Sequence, residues 1–121
     1  MHTSIHLVPD SLLRAKSLPI HDLTEVVQAQ IIDLVESLKA ARNPEGVGLS
    51  FPQIGLNLRG FVTYLEKRVK IYLNPEILDQ SEETTLGGTT EHPTLEGCLS
   101  IPHLYGPVWR PKRIKVRALD E

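Results

Sequence analysis

Two short segments hold the residue types from which a hydrolytic site could be built. Glu96-Gly97-Cys98-Leu99-Ser100 contains the only cysteine of the chain. Well upstream, Gly46-Val47-Gly48-Leu49-Ser50-Phe51-Pro52-Gln53 is an apolar turn punctuated by glycine. A cysteine thiolate is a soft metal ligand, and a loop backbone N–H beside it is free to donate. The glycines let another backbone come close, and the Gln53 carboxamide is a donor for a developing oxyanion. Together these are parts of a metal-assisted amide hydrolysis.

Each part also has a plainer reading. A lone cysteine is often a small buried hydrophobe. Gly46 and Gly48 can simply shape a turn, and a glutamine in a turn can be polar surface. The Gly-x-Gly pattern is not a phosphate loop, because no strand precedes it and no Lys-Ser/Thr follows. Five histidines are present, His2, His6, His21, His92 and His103, and none forms the His-x-x-x-His pair of a helical metal clamp. His92 and His103 bracket Cys98 and could join it on a metal, but spacing across a flexible loop gives that reading little support.

Composition narrows the class. The 121 residues, 40% hydrophobic and 23% charged with net charge -2, are those of one ordinary globular domain. A balance this even gives no pull toward DNA or an anionic membrane. Arg110, Lys112, Arg113, Lys115 and Arg117 do crowd together, but Ile114, Val116 and Ala118 alternate with them. That pattern favours a strand with one wet, charged face over a phosphate-binding patch. A single cysteine rules out an internal disulfide. No apolar run approaches the roughly 20 residues that span a bilayer, and no export signal is visible. The expected location is the cytoplasm.

The elements that must position these residues follow from local rules. Pro9-Asp10 to Pro19-Ile20 reads as an extended arm. Asp22 reads as an N-cap with Glu25 completing a capping-box-like pair. Leu23, Val27, Ile31, Leu34, Val35 and Leu38 recur at helical spacing, so an amphipathic helix is predicted over about 23–42, stopped by Asn43-Pro44. Phe61 to Leu65 and Val69 to Leu73 are β-rich and, separated by Glu66-Lys67-Arg68, read as a hairpin or a neighbouring strand pair. Asn74-Pro75 is expected to turn the chain, with Glu76 to Gln80 continuing as strand. Residues 86–93 read as a loop, Pro102, Pro107 and Pro111 as a connector, and Arg113 to Leu119 as a closing strand. The predicted class is α+β: an N-terminal arm and one long helix packed on a mostly antiparallel sheet.

Here the sequence resembles the peptide deformylases. Their Gly-x-Gly-Leu-Ala-Ala-x-Gln is similar to Gly46 to Gln53, and Glu96 to Ser100 reproduces their Glu-Gly-Cys-Leu-Ser in full. Pro9-Asp10 with Leu13-Arg14, Ile71 to Pro75, and Ser100 to Pro102 with Tyr105-Gly106 and Arg110-Pro111 resemble the family's flanks. The resemblance implies a hydrolase that removes the formyl group from the initiator methionine of new polypeptides. It implies a divalent metal, natively Fe²⁺ and often replaced by Ni²⁺, Co²⁺ or Zn²⁺, with Cys98 as one ligand beside two histidines. It makes Gln53 and the Leu99 N–H the oxyanion donors, and Val47, Gly48 and Gly97 the substrate-binding residues. The implied partners are N-formyl-methionyl peptides or nascent chains, at the ribosome, with neither DNA nor membrane.

Two departures stand out. The family's third motif, His-Glu-x-x-His on a helix, should follow well beyond Cys98, and the sequence ends before it. The expectation is therefore a single, incomplete domain over residues 1–121, cut before its metal-binding helix and inactive by itself. Ser50-Phe51 also replaces Ala-Ala, and the phenylalanine adds bulk where the family packs tightly. The alternative, from a different class, is a non-catalytic peptide-binding module of the same fold. A further reading has another chain supply the missing helix.

Overall fold

A computed structural model describes residues 4–41, 46–87 and 95–119. Its one α-helix, α1 (Glu25–Ala40), packs on a four-stranded antiparallel sheet of order β1-β2-β3-β8. These strands are β1 (Gly48–Ser50), β2 (Gly60–Leu65), β3 (Arg68–Gln80) and β8 (Ile114–Leu119). Two small antiparallel ladders complete the described residues. One joins β4 (Thr84–Thr85) to β7 (Arg110–Pro111), the other β5 (Leu95–Cys98) to β6 (Ile101–Pro107). The predicted α+β class, with arm, one long helix and antiparallel sheet, is what the described residues form.

The core lies between α1 and the sheet. Ile31, Leu34 and Leu38 of the helix meet Leu49, Val62 and Leu73 of the sheet, with Phe51 and Ile54 closing one end. Phe51 is wholly buried. Its ring lies against Gly60, where an added Cβ would come within 2.8 Å of it. The bulk that Phe51 adds is absorbed by the core.

Local details depart from expectation in four places. First, within the arm, Ser11–Arg14 is not extended but forms a 3₁₀ turn capped by Asp10. Second, the helix starts later than predicted, capped by Thr24, whose Oγ1 accepts the Val27 N–H at 3.2 Å. The Asn74 side chain explains the delay: its carboxamide takes the Ile20 N–H and donates to the Ile20 carbonyl, both at 2.7 Å. Ile20 is thereby tied to β3, and the helix begins beyond the predicted Asp22 cap. Asn43-Pro44, the expected helix stop, lies outside the described residues.

Third, Asn74-Pro75 does not turn the chain. β3 runs straight through, absorbing the pair as an irregularity between Leu73 and Glu76 in its ladder with β8. Asn74 takes φ 49°, a left-handed conformation that asparagine tolerates, and such an irregularity is where a strand accommodates a proline without an N–H. Fourth, the proline-rich connector is strand: Pro102 and Pro107 lie in β6, and Pro111 pairs with Thr84. A two-stranded ladder leaves each strand an open edge, where proline costs no bond. The β2–β3 hairpin is as predicted. Glu66 and Lys67, at φ 51° and 62°, form its two-residue turn.

Candidate active site

Three segments converge. The first is the edge of β1 that no strand among the described residues pairs with, β2 occupying the other edge. The second is the 3₁₀ turn Phe51–Ile54 that follows β1. The third is the tip of the β5–β6 hairpin, where Cys98 pairs with Ile101 around Leu99-Ser100. Between them runs an open groove of about 520 Å³. Val47, Gly48 and Gln53 form one wall, and Gly97, Cys98 and Leu99 form the other. All six residues singled out from sequence therefore border one space.

The Gln53 Nε2 stands 3.5 Å from the Cys98 Sγ and 3.0 Å from the Ser100 Oγ. Its Oε1 accepts the Ser50 N–H at 3.0 Å and lies 3.2 Å from the Ser50 Oγ. Cys98 is exposed, which discards the buried-hydrophobe reading. Ser100, by contrast, is buried, at 3% exposure. The N-terminal arm crosses both segments: the His6 N–H donates to the Gln53 carbonyl at 2.6 Å and the Val8 N–H to the Ser100 carbonyl at 3.0 Å. Asp10 steadies the arm, accepting the Leu12 N–H at 2.9 Å and meeting His6 Nδ1 at 2.6 Å.

The glycines differ in purpose. A Cβ at Gly46 would meet Leu38 Cδ1 at 2.5 Å and Leu99 Cδ1 at 2.8 Å. One at Gly97 would press into the Tyr105 ring. At Gly46 the buried Leu38 leaves little room to yield, whereas the Tyr105 ring beside Gly97 is exposed and can shift. At Gly48 an added Cβ would meet only the Val62 carbonyl oxygen, at 3.7 Å. No contact among the described residues requires glycine there, and the residue borders the groove.

Glu96, also on the groove, is held by Arg110 through two bonds of 2.8 and 3.2 Å. The Arg110 guanidinium keeps its carboxyl below the usual carboxylate range. A carboxylate so held is a poor proton acceptor near neutral pH. The basic crowd around it is partly spent on similar pairs, Arg117 with Glu76 at 2.8 Å and Lys112 with Glu83 at 3.7 Å, as a charged strand face would be.

A catalytic metal of the implied kind needs three protein ligands. Among the described residues no group of three His, Cys, Asp or Glu side chains lies close enough to hold an ion. These residues fit one ligand, Cys98, and do not fit a whole centre. His92 and the His103 side chain lie outside the described residues.

No part in the site was expected of Ser50, Ser100 or the arm. Ser50-x-x-Gln53 does carry a local signal, the capping-box pattern at a helical start. The arm's contacts carry none.

Comparison with known proteins follows this geometry. The family model described as "Polypeptide deformylase" matches residues 2–121. A peptide deformylase of Treponema pallidum is 38% identical over 109 residues, covering 90% of this chain and 61% of its own length. One from Pseudothermotoga lettingae is 36% identical over 121 residues, covering 100% of this chain and 64% of its own. The crystal structure of peptide deformylase from Thermotoga maritima superposes with TM-score 0.84 at 31% identity, over 99% of this chain and 75% of that one. The chain thus spans 61–64% of the length of these two curated relatives.

Proposed function

This chain belongs to the polypeptide deformylase family, and from that premise we propose that its groove receives the formylated end of N-formyl-methionyl peptides. The reaction class is hydrolysis of the formyl amide, releasing formate and a free methionine amine. The observation that carries this reading is the approach of the Gln53 amide to Cys98, 3.5 Å apart at the edge of β1 away from β2.

Each residue has a role. The Gln53 Nε2–H and the Leu99 N–H donate to the formyl oxygen, which gains negative charge as the carbonyl is attacked. Loss of one such donor typically lowers turnover by roughly 10²–10³. The main chain of Val47 and Gly48 pairs with the substrate as an added strand, and Gly97 lines the facing wall. Leu95 and Leu99 offer apolar surface to the methionine side chain. Deformylases as a family depend on a metal. For the complete family enzyme we propose Fe²⁺, with Ni²⁺, Co²⁺ or Zn²⁺ as substitutes and Cys98 as one ligand. The remaining ligands and the glutamate that moves protons belong to His-Glu-x-x-His, a motif not found in these 121 residues. The partners are nascent chains at the ribosome, in the cytoplasm. Among the described residues no helix is long and apolar enough to cross a membrane.

The lack of a three-ligand cluster among the described residues favours a second reading for the 121-residue chain in isolation: it binds formyl peptides without turning them over. Titration of ¹⁵N-labelled chain with formyl-Met-Ala-Ser tests the shared premise. Shifts of the Gln53 side-chain amide and the Leu99 N–H, absent with the unformylated peptide, support it. Equal responses to both peptides, or none at these two groups, refute it. Formate release with and without added Fe²⁺ then separates the two readings.

A further inference from the structure

A glutamine side chain presents two opposite ends, and only its NH₂ end can stabilise an oxyanion. Its terminal torsion is broad and nearly two-fold, so an unrestrained Gln53 would offer the repulsive carbonyl oxygen about as often as the donor. The surroundings break that symmetry. The Ser50 backbone N–H can only donate, and it lies 3.0 Å from Oε1. That contact assigns the oxygen to the Ser50 side and turns Nε2 toward Cys98.

The Ser50 hydroxyl, 3.2 Å from the same oxygen, adds a second hold on that end. Alanine, the residue of the resembled motif at this position, has no such group. At the other end, Ser100 Oγ takes Nε2–H at 3.0 Å. Ser100 is 3% exposed, so little water competes for that bond. Nε2 carries two hydrogens. One is used on Ser100, and the other faces the Cys98 sulfur at 3.5 Å, a long contact that a substrate oxygen can replace. The backbones of Gln53 and Ser100 are themselves fixed by the arm through His6 and Val8.

We propose that Ser50 and Ser100 are positioning residues, which hold the Gln53 carboxamide from both ends with its NH₂ turned into the groove before substrate arrives. This rests on the reading of the groove given above. It deepens that reading by naming what sets the donor's orientation.

The test measures the Gln53 side-chain amide of the 121-residue chain by ¹⁵N relaxation, its resonance pair identified by its loss in Gln53→Glu. In the wild-type chain the pair is expected to be as ordered as rigid backbone, with an order parameter near ~0.85, and to fall below ~0.6 in Ser100→Ala. Ser50→Ala, which keeps the backbone N–H, is expected to lower it less, and Ser50→Thr to restore it. Affinity for formyl-Met-Ala-Ser should fall about 5- to 10-fold in Ser100→Ala, with affinity for the unformylated peptide unchanged. A merely structural serine would weaken both peptides alike. Should Ser100→Ala disturb the core amides, Ser50→Ala and Ser50→Thr still decide. A Gln53 pair averaged in wild type, or equally ordered in Ser50→Ala and Ser100→Ala, overturns the proposal whether or not peptide binds. A pair ordered in wild type and loosened by these variants supports the clamp even if formyl peptide does not bind; that failure would count only against the substrate assignment.

Discussion

Gly48→Ala separates a glycine kept for the fold from one kept for a ligand. Gly48 has no positive φ, and the new Cβ would meet only the Val62 carbonyl oxygen at 3.7 Å, ordinary van der Waals contact. Alanine also removes freedom from the unfolded chain. In a conformation it can adopt, that stabilises the protein by about 0.4–1 kcal/mol. For a domain of this size the melting temperature should rise by roughly 2–5 °C. Peptide binding should move the other way, because the methyl group stands on the wall where a strand must approach. Losing one or two main-chain bonds, each about 0.5–1.5 kcal/mol net, weakens binding by roughly 2- to 150-fold. Gly97→Ala is the control: its Cβ would collide with the Tyr105 ring, which is 53% exposed and must swing aside, so the melt should fall rather than rise. Circular-dichroism melts and peptide titration of both variants give the answer. If Gly48→Ala melts lower than wild type, or binds formyl peptide equally well, the reasoning about the groove is wrong.

Cys98→Ser should leave the melt of the 121-residue chain nearly unchanged, as should a chelator, because one ligand gives a metal little to contribute to folding. A drop of several degrees in either experiment would show a bound metal. Thr24→Ala should destabilise by about 0.5–2 kcal/mol in urea, as loss of an N-cap does. Asp22→Ala should change little; equal effects would return the cap to Asp22. The Leu12 N–H, and after it His6, hold the Asp10 carboxyl below its ordinary value of 3.8. A group lowered on folding stabilises fully above its unfolded pKa and loses that contribution as pH falls through the folded one. Melts of wild type and Asp10→Asn should therefore differ at pH 6 and converge as the pH drops below ~4. A constant gap down to pH 2 would contradict this.

Much of the site was legible because its signals are local or compositional. A unique cysteine between glycine and leucine and a glycine-punctuated turn ending in glutamine pointed to Cys98 and Gln53, and the resemblance those two motifs carry added Val47, Gly48, Gly97 and Leu99. The helix was legible from its apolar spacing and the β2–β3 hairpin from β-rich runs flanking a short polar turn. The errors came where a distant partner overruled a local preference. Asn74-Pro75 has the chemistry of a turn, yet Asn74 is held by Ile20, 54 residues away, and the strand continues. Asp22 and Thr24 are both good caps, and the same pairing passed the role to Thr24.

What the residues determined by themselves was an inventory: which groups can ligate, donate or yield space, and which stretches favour helix or strand. What only the tertiary structure decided was how those groups point. The Gln53 amide faces Cys98 across 45 residues of chain, turned by a serine on each side and framed by an arm from the N-terminus. A carboxamide has no local preference between its two ends. Its orientation is a property of the partners that folding brings to it, and it came into being only when three separate segments closed around one groove.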